Sequence, residues 1–248
     1  MRRNDILIFI PTYNEAGHVE PLYRRIQATG LAADVLFLDD NSSDGTGEIL
    51  DGFAAESDTV SVIHRPGKLG IGSAHRMGIE AAYENGYPVL VTMDADFVHK
   101  PEDIPAFLAE AEAHDTVVGT RFVRAESLAE WDPVRKMATR FGHFLTRLLL
   151  RHDFDATGAF RVYRLDRIDR RLFDLIKSND YEFFFTSLTI LHLNGYRIAE
   201  VPIDLPWRQY GTSKMAVRLM IKSVLVMVKL GAVATFRRRS LLVGNGSK

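Results

Sequence analysis

Short apolar runs alternate with amphipathic stretches through the first half of the chain. Residues 5–10 (DILIFI), 34–38 (DVLFL), 60–64 (VSVIH), 88–93 (PVLVTM) and 115–120 (DTVVGT) are too short for helices, and polar or turn residues bound them. They predict five strands. Residues 17–28, the stretch opened by SSDGTG, residues 72–84 and the segment PEDIPAFLAEAE carry helical spacing, with turn residues and capping candidates at their starts. Apolar strands alternating with helices predict an α/β fold with a largely parallel sheet covered on both faces. In such sheets ligands bind beyond the carboxyl ends of the strands. The polar clusters at 11–15, 39–44 and 94–99 follow the first, second and fourth strands.

The second half is less regular. Residues 133–151 and 215–236 predict long helices. Between them lie a part-strand in 157–164, helical stretches at 165–176 and 183–193, and the segment GYRIAEVPIDLPW. On the helix 135–151, Lys136, Arg140, His143, Arg147 and Arg151 form a basic stripe, and Met137, Phe141, Phe144, Leu145 and Leu148 an apolar one. On 215–236, Arg218, Lys222 and Lys229 share one face, with Leu219, Val226, Leu230 and Val233 around the others. No segment offers the ~20 uninterrupted apolar residues of a spanning helix. Such helices can pack on the core with their basic face in water. They also suit an anionic bilayer interface, where each cation contributes about 1 kcal/mol. Insertion of 215–236, or docking on a membrane partner protein, is a third possibility.

Composition changes this picture in three ways. The formal net charge is −1, so the 248-residue chain has no polyanion-binding signature and nucleic acid is not expected. The absence of cysteine excludes disulfides, thiolate metal sites and a catalytic thiol. The start, MRRNDILIFIPTYNE, lacks the length and cleavage site of a signal peptide and reads as a first strand of a cytoplasmic protein.

Candidate chemistry sits at the strand ends. Asp94 and Asp96 share a side of an extended segment, where two carboxylates repel unless a cation lies between them. Oxygen ligands suit Mg²⁺ or Mn²⁺ with a substrate phosphate; a capped turn is the alternative. Asp39 and Asp40 repeat the pattern, as a polar turn or as acceptors for a ribose or base. In HRPGKLGIGSAHRMG (64–78) the glycines permit close backbone approach, and Arg65 and Lys68 can attract phosphates. The segment is neither a Walker A loop nor a dinucleotide fingerprint; a surface loop before a helix is the alternative. His64 and His75 read as structural.

The ordered set PTYNE, DDNSSDGT, HRPGKLGIGSA, MDADFVHKPED, VVGTRF, DATGAFRVYR and GYRIAEVPI…RQYGTSK resembles family-two inverting glycosyltransferases of the GT-A fold, specifically the dolichyl-phosphate (polyprenyl-phosphate) mannose synthase group. It runs from about residue 6 to 215. The resemblance implies transfer of mannose from GDP-mannose to a polyprenyl or dolichyl phosphate at a membrane surface, with Mg²⁺ or Mn²⁺. It implies metal binding at Asp94 and Asp96, and nucleotide-sugar contacts at Pro11, Tyr13, Glu15, Asp39, Asp40, Lys68, Asp94 and Ala95. It implies catalytic roles for Asp96, Arg121 and Arg208. The cations Arg135, Arg161, Arg208 and Lys214 are expected to meet the acceptor phosphate. It also implies a catalytic domain over 1–214, containing the inserted amphipathic helix near 133–151, followed by an interfacial helix and basic tail over 215–248.

Four positions depart from the family pattern. Val98 stands where a polar residue is usual, His143 where an Asn is usual, and Phe184 and Thr186 replace a Gln and a Glu. Two rivals therefore stand beside the main expectation. One is the same chemistry with UDP-glucose, another hexose or a different acceptor. The other is a nucleotide-sugar-binding protein without turnover.

Overall fold

The computed structural model describes residues 2–122, 133–204 and 217–244. Seven strands form one sheet: β1 (Ile6–Thr12), β2 (Ala33–Asp39), β3 (Val60–His64), β4 (Val89–Thr92), β5 (Thr116–Thr120), β6 (Arg161–Arg164) and β7 (Ile198–Pro202). Their order is β3-β2-β1-β4-β6-β5-β7. Pairings are parallel except the two that β6 makes, with β4 and with β5. The helices are α1 (Ala16–Ala28), α2 (Thr46–Glu56), α3 (Ile71–Glu84), α4 (Ile104–Ala113), α5 (Pro133–Leu150), α6 (Arg171–Asp174), α7 (Glu182–Leu193) and α8 (Val217–Phe236).

Strand residues alternate between two apolar cores, as a period of two requires. Leu7, Phe9, Leu36, Leu38, Leu90, Val118 and Tyr163 join the core under α3, α7 and α8. Ile8, Ile10, Val35, Phe37, Val91, Val117 and Val162 join the core under α1, α2 and α4. Burial on both faces explains why these strands read as continuous apolar runs. The expected largely parallel, doubly covered sheet is thus present. The helix expected over 165–176 is mostly turns, with α6 alone inside it. Asp169 there accepts from the N–H of Arg171 at 2.9 Å, and such short side chains compete with helical bonding.

The two long helices pack against each other. Thr146 of α5 lies against Met227 of α8, and Gly231 lies against the backbone of Leu149. A Cβ on Gly231 would come within 2.5 Å of the Leu149 carbonyl oxygen, so α8 can approach this closely only through glycine. On α8, Met227 and Leu230 are buried, and Val226 and Val233 pack against the same core. Leu225, Val228 and Phe236 nevertheless remain exposed. α8 is thus apolar both toward the protein and toward solvent. Among the described residues no helix is long and apolar enough to cross a membrane.

His75 of α3 is buried among aromatic rings, with Phe184 at 4.9 Å, Phe9 at 5.5 Å and Phe183 at 5.6 Å between centroids. Among the described residues neither ring nitrogen has a hydrogen-bond partner. Burial, followed by the nearby Arg161 charge, pushes its pKa down to about 3. The unfolded chain takes up a proton below about 6.5. The folded protein does not do so until far lower pH, so this contribution is full above about 6.5 and shrinks as pH falls. The expected slope is about 1.4 kcal/mol per pH unit. Urea unfolding from pH 7.5 to 5 should show His75→Phe flattening the stability profile by about that amount. An unchanged profile in the variant would mean that the ring takes up its proton equally in the folded and unfolded chains.

Candidate active site

The parallel register brings the ends of β1, β2 and β3 level, with Thr12 opposite Asp39 and Asp39 opposite His64. The loops after β1, β2, β3 and β4 consequently share one edge of the sheet. Two of them are stitched together. The Asn14 N–H donates to Ser42 Oγ at 2.9 Å, and the Ser43 N–H donates to Asn14 Oδ1 at 2.9 Å. The Glu15 N–H donates to Thr46 Oγ1 at 2.9 Å, and the Ala16 N–H to Asp44 Oδ2 at 3.0 Å. Asn14 and Asn41 both adopt positive φ near 57°, a conformation Asn tolerates in turns. Pro11 is half-buried inside β1. Tyr13 projects from the edge, and the Lys68 ammonium sits over its ring at 4.3 Å.

The two acids after β2 are largely engaged inside the protein. Asp39 is 3% exposed and accepts from the Ser42 hydroxyl and from the Ser42 N–H at 3.1 Å. Asp40 pairs with Arg65 at 2.5 Å, and both are buried. Arg65 also donates to Ser73 Oγ at 2.7 Å. Arg65 is thus an internal clamp, where its position in the loop suggested a phosphate ligand. The glycines act differently from expectation as well. A Cβ on Gly72 would lie 2.5 Å from the Asp180 carbonyl oxygen and 2.8 Å from Phe183 Cβ. The close approach they permit is to the 179–183 backbone. The Ser73 N–H donates to the Asn179 carbonyl at 3.1 Å across this contact.

After β4 the chain bends, and Ala95 is buried while Asp94 and Asp96 are half-buried to either side. The bend is anchored by His99, which the sequence did not single out. The Asp94 N–H donates to His99 Nδ1 at 2.9 Å, which places the ring proton on Nε2. The His99 ring is buried and stacks on Phe160 at 5.1 Å, and Phe160 stacks on Phe107 at 4.2 Å. The Val98 N–H donates to Asp96 Oδ1 at 3.3 Å. Asp94 keeps 34% of its side chain exposed. No group of three or more His, Cys, Asp or Glu that could hold a metal is present among the described residues. Two accessible carboxylates with other positions left to water and a diphosphate match how Mg²⁺ and Mn²⁺ bind. These residues therefore fit such an ion.

Arg121 follows β5 and is held by Asp155, a residue of the DATGAFRVYR motif whose role the sequence does not reveal. Arg121 Nε and Nη2 donate to the two Asp155 oxygens at 2.8 and 2.7 Å, and Nη2 also donates to the Thr157 hydroxyl. Burial pushes the Asp155 carboxyl up, but the Arg121 guanidinium outweighs it and holds the acid below its ordinary value. The Asp155 N–H donates in turn to Glu200 Oε1 at 2.6 Å.

Arg161 corrects an expectation. Its guanidinium is fully buried and its five N–H groups are all matched within the protein. Nε donates to the Gly158 carbonyl, Nη2 to the carbonyls of Ala156 and Phe184, and Nη1 to Ser187 Oγ and Tyr163 Oη. It is a structural cation, out of reach of an acceptor phosphate. Of the departures from the family pattern, Phe184 and Thr186 are buried. His143 is half-buried and stacks on Phe122 at 4.0 Å. Arg208 and Lys214 lie outside the described residues, and so does the side chain of Arg135.

The family model described as "Glycosyl transferase family 2" matches residues 7–172. The chain is 36% identical over 230 residues to an undecaprenyl-phosphate mannosyltransferase of Micrococcus luteus, covering 92% of this chain and 95% of that protein. It is 33% identical to a polyprenol monophosphomannose synthase of Mycolicibacterium smegmatis, covering 85% and 80%. Glucosyl-3-phosphoglycerate synthase from Mycobacterium tuberculosis, solved with Mn²⁺, UDP and phosphoglyceric acid, superposes with a TM-score of 0.61 at 17% identity. The match covers 98% of this chain and 81% of that one. It shares the fold.

Removing Asp155 should leave the Arg121 charge nearly buried and unpaired. Asp155→Ala is expected to lose about 3 kcal/mol of stability in urea unfolding at pH 7. A loss under about 1 kcal/mol would show that other contacts hold Arg121.

Proposed function

The chain belongs to glycosyl transferase family 2, and we propose that this glycosyltransferase moves mannose from GDP-mannose to a polyprenyl or dolichyl phosphate, with inversion, at the cytoplasmic face of a membrane. The observation that carries this is the Asp94–Asp96 turn, held outward at the strand ends by His99. It stands in a chain more than one-third identical, over nearly its whole length, to a protein named for mannosyl transfer to undecaprenyl phosphate.

Asp94 and Asp96 would hold Mg²⁺ or Mn²⁺, which when bound supplies positive charge to the departing diphosphate. The stitched loops 13–16 and 42–46 and the Asp39–Asp40 floor shape the donor pocket. Lys68, steered by Tyr13, adds a cation at its edge. The acceptor phosphate needs no base, because its second pKa of about 6 leaves it largely a dianion at neutral pH. It needs cations to approach a second anion. Asp155 holds Arg121 in one orientation for that task, and Arg135, Arg208 and Lys214 are the further candidates. Direct attack by the phosphate on the anomeric carbon inverts it in one displacement.

A lipid acceptor requires a membrane face, and α5 offers one. Met137, Phe141, Phe144 and Leu148 follow helical spacing and are 55–68% exposed. Leu225, Val228 and Phe236 of the adjoining α8 extend the apolar surface, with Arg140, Lys229 and Arg237 exposed around it. Apolar surface rimmed by cations suits an anionic interface.

Radiolabelled GDP-mannose, Mn²⁺ and a prenyl phosphate should give organic-extractable label; label from UDP-glucose alone would reassign the sugar, and binding without transfer would favour a non-catalytic role. Asp96→Ala should cut transfer roughly a hundredfold or more with an unchanged unfolding midpoint; near-normal turnover there, or indifference to a chelator, would sink the metal assignment. In flotation with anionic vesicles, Phe141→Ser/Phe144→Ser should bind at least roughly tenfold more weakly than the wild type. Equal flotation would move the contact surface elsewhere.

A further inference from the structure

Glu182 opens α7 with a carboxylate that is almost wholly buried, and among the described residues neither oxygen has a hydrogen-bond donor. Among the described residues one cation lies within ion-pair distance. It is Lys222 of α8, with Nζ 3.6 Å from Glu182 Oε1. The same ammonium donates to Asp180 Oδ2. Lys222 therefore bridges two acids of the corner that joins residue 179 to α7.

That corner is the surface on which the glycine-rich segment lies. The absence of a side chain at Gly72 lets α3 rest on the Asp180 carbonyl and Phe183. Arg76 donates to the Asn179 side chain at 2.6 Å and to the Ile176 carbonyl at 2.9 Å. The other end of the segment meets Arg65, which donates to Ser73 Oγ and grips Asp40 at the end of β2. A continuous set of contacts thus leads from α8 through 180–183 and 70–73 to the donor pocket. A buried carboxylate stripped of its cation is strongly unfavourable. Lys222 thus adds a charge constraint on this corner beside the hydrogen bonds from Arg76 and Ser73.

We propose that Lys222 is a positioning residue for the donor site, fixing the 180–183 corner and, through the glycine-rich segment and Arg65, the placement of Asp40. This rests on the donor-pocket assignment made above. It makes α8 part of the donor-binding apparatus as well as a surface helix. Disturbing α8 at Lys222 weakens donor binding without touching the reacting atoms.

The test compares Lys222→Met, Lys222→Arg, Glu182→Gln and the Glu182→Gln/Lys222→Met pair in the full chain. Donor KM and kcat are measured with GDP-mannose and Mn²⁺, and amide hydrogen exchange is followed over residues 65–76. Lys222→Met should raise donor KM roughly tenfold, with kcat within about twofold, and speed exchange in 65–76 by a similar factor. Lys222→Arg should match the wild type. The double variant carries no buried carboxylate to neutralise, so its KM should recover to within about threefold. It also supplies the comparison if Lys222→Met does not fold. Unchanged KM and exchange in Lys222→Met would overturn the proposal, as would a double variant as impaired as Lys222→Met alone. The exchange readout is independent of donor identity. A wild type that transfers no sugar would sink the functional assignment, whereas unchanged exchange would sink only the role of Lys222.

Discussion

A guanidinium wholly removed from water, that of Arg161, ties together the two sides of the catalytic edge. Burying such a charge costs several kcal/mol unless every donor is matched. Here each of the five N–H groups has an acceptor, and the Phe184 ring lies 5.3 Å from the guanidinium carbon. Two acceptors are carbonyls of the 156–158 loop, and two belong to α7. The first pair sits beside Asp155 and so sets where Arg121 can stand. The second pair fixes the start of α7, which carries the corner under the glycine-rich segment. The 156–158 loop and the start of α7 thus share one buried cation.

The same economy of charge appears at the other strand ends. Asp40 is matched by Arg65, Asp155 by Arg121, and Glu182 lies near Lys222. Each acid orders a cation or a backbone segment, and the more exposed acids Asp94 and Asp96 stand apart from these buried pairs. On the proposed function, this pairing keeps the framework acids from repelling two anionic substrates. On the proposed function, a divalent ion would offset the charge of the half-buried pair after β4.

The helices α5 and α8 make a different compromise. Their inner faces complete the core under α7, and Gly231 allows a spacing too tight for any side chain there. Their outer faces leave large apolar side chains in the open. Among the described residues neither helix is long and apolar enough to span a bilayer, and on the proposed function these outer faces would lie against one.

The chain's own pattern determined the α/β alternation, the parallel sheet and the gathering of 11–15, 39–44 and 94–99 at one edge. These follow from periodicity and from strand ends, both local in sequence. Burial on both faces wrote the strands as unbroken apolar runs, and the D-x-D pair announced itself by ending one of them. What each Arg and Gly does was decided only by tertiary contacts. Arg121 and Arg161 look alike in sequence. One leaves the sheet at the end of a parallel strand, and the other enters it at the start of the antiparallel β6, beneath α7. The glycines of 70–72 read as room for a phosphate until the fold brings the 179–183 backbone against them from over a hundred residues away. His99, Asp155 and Lys222 owe their roles to partners that no local spacing reveals.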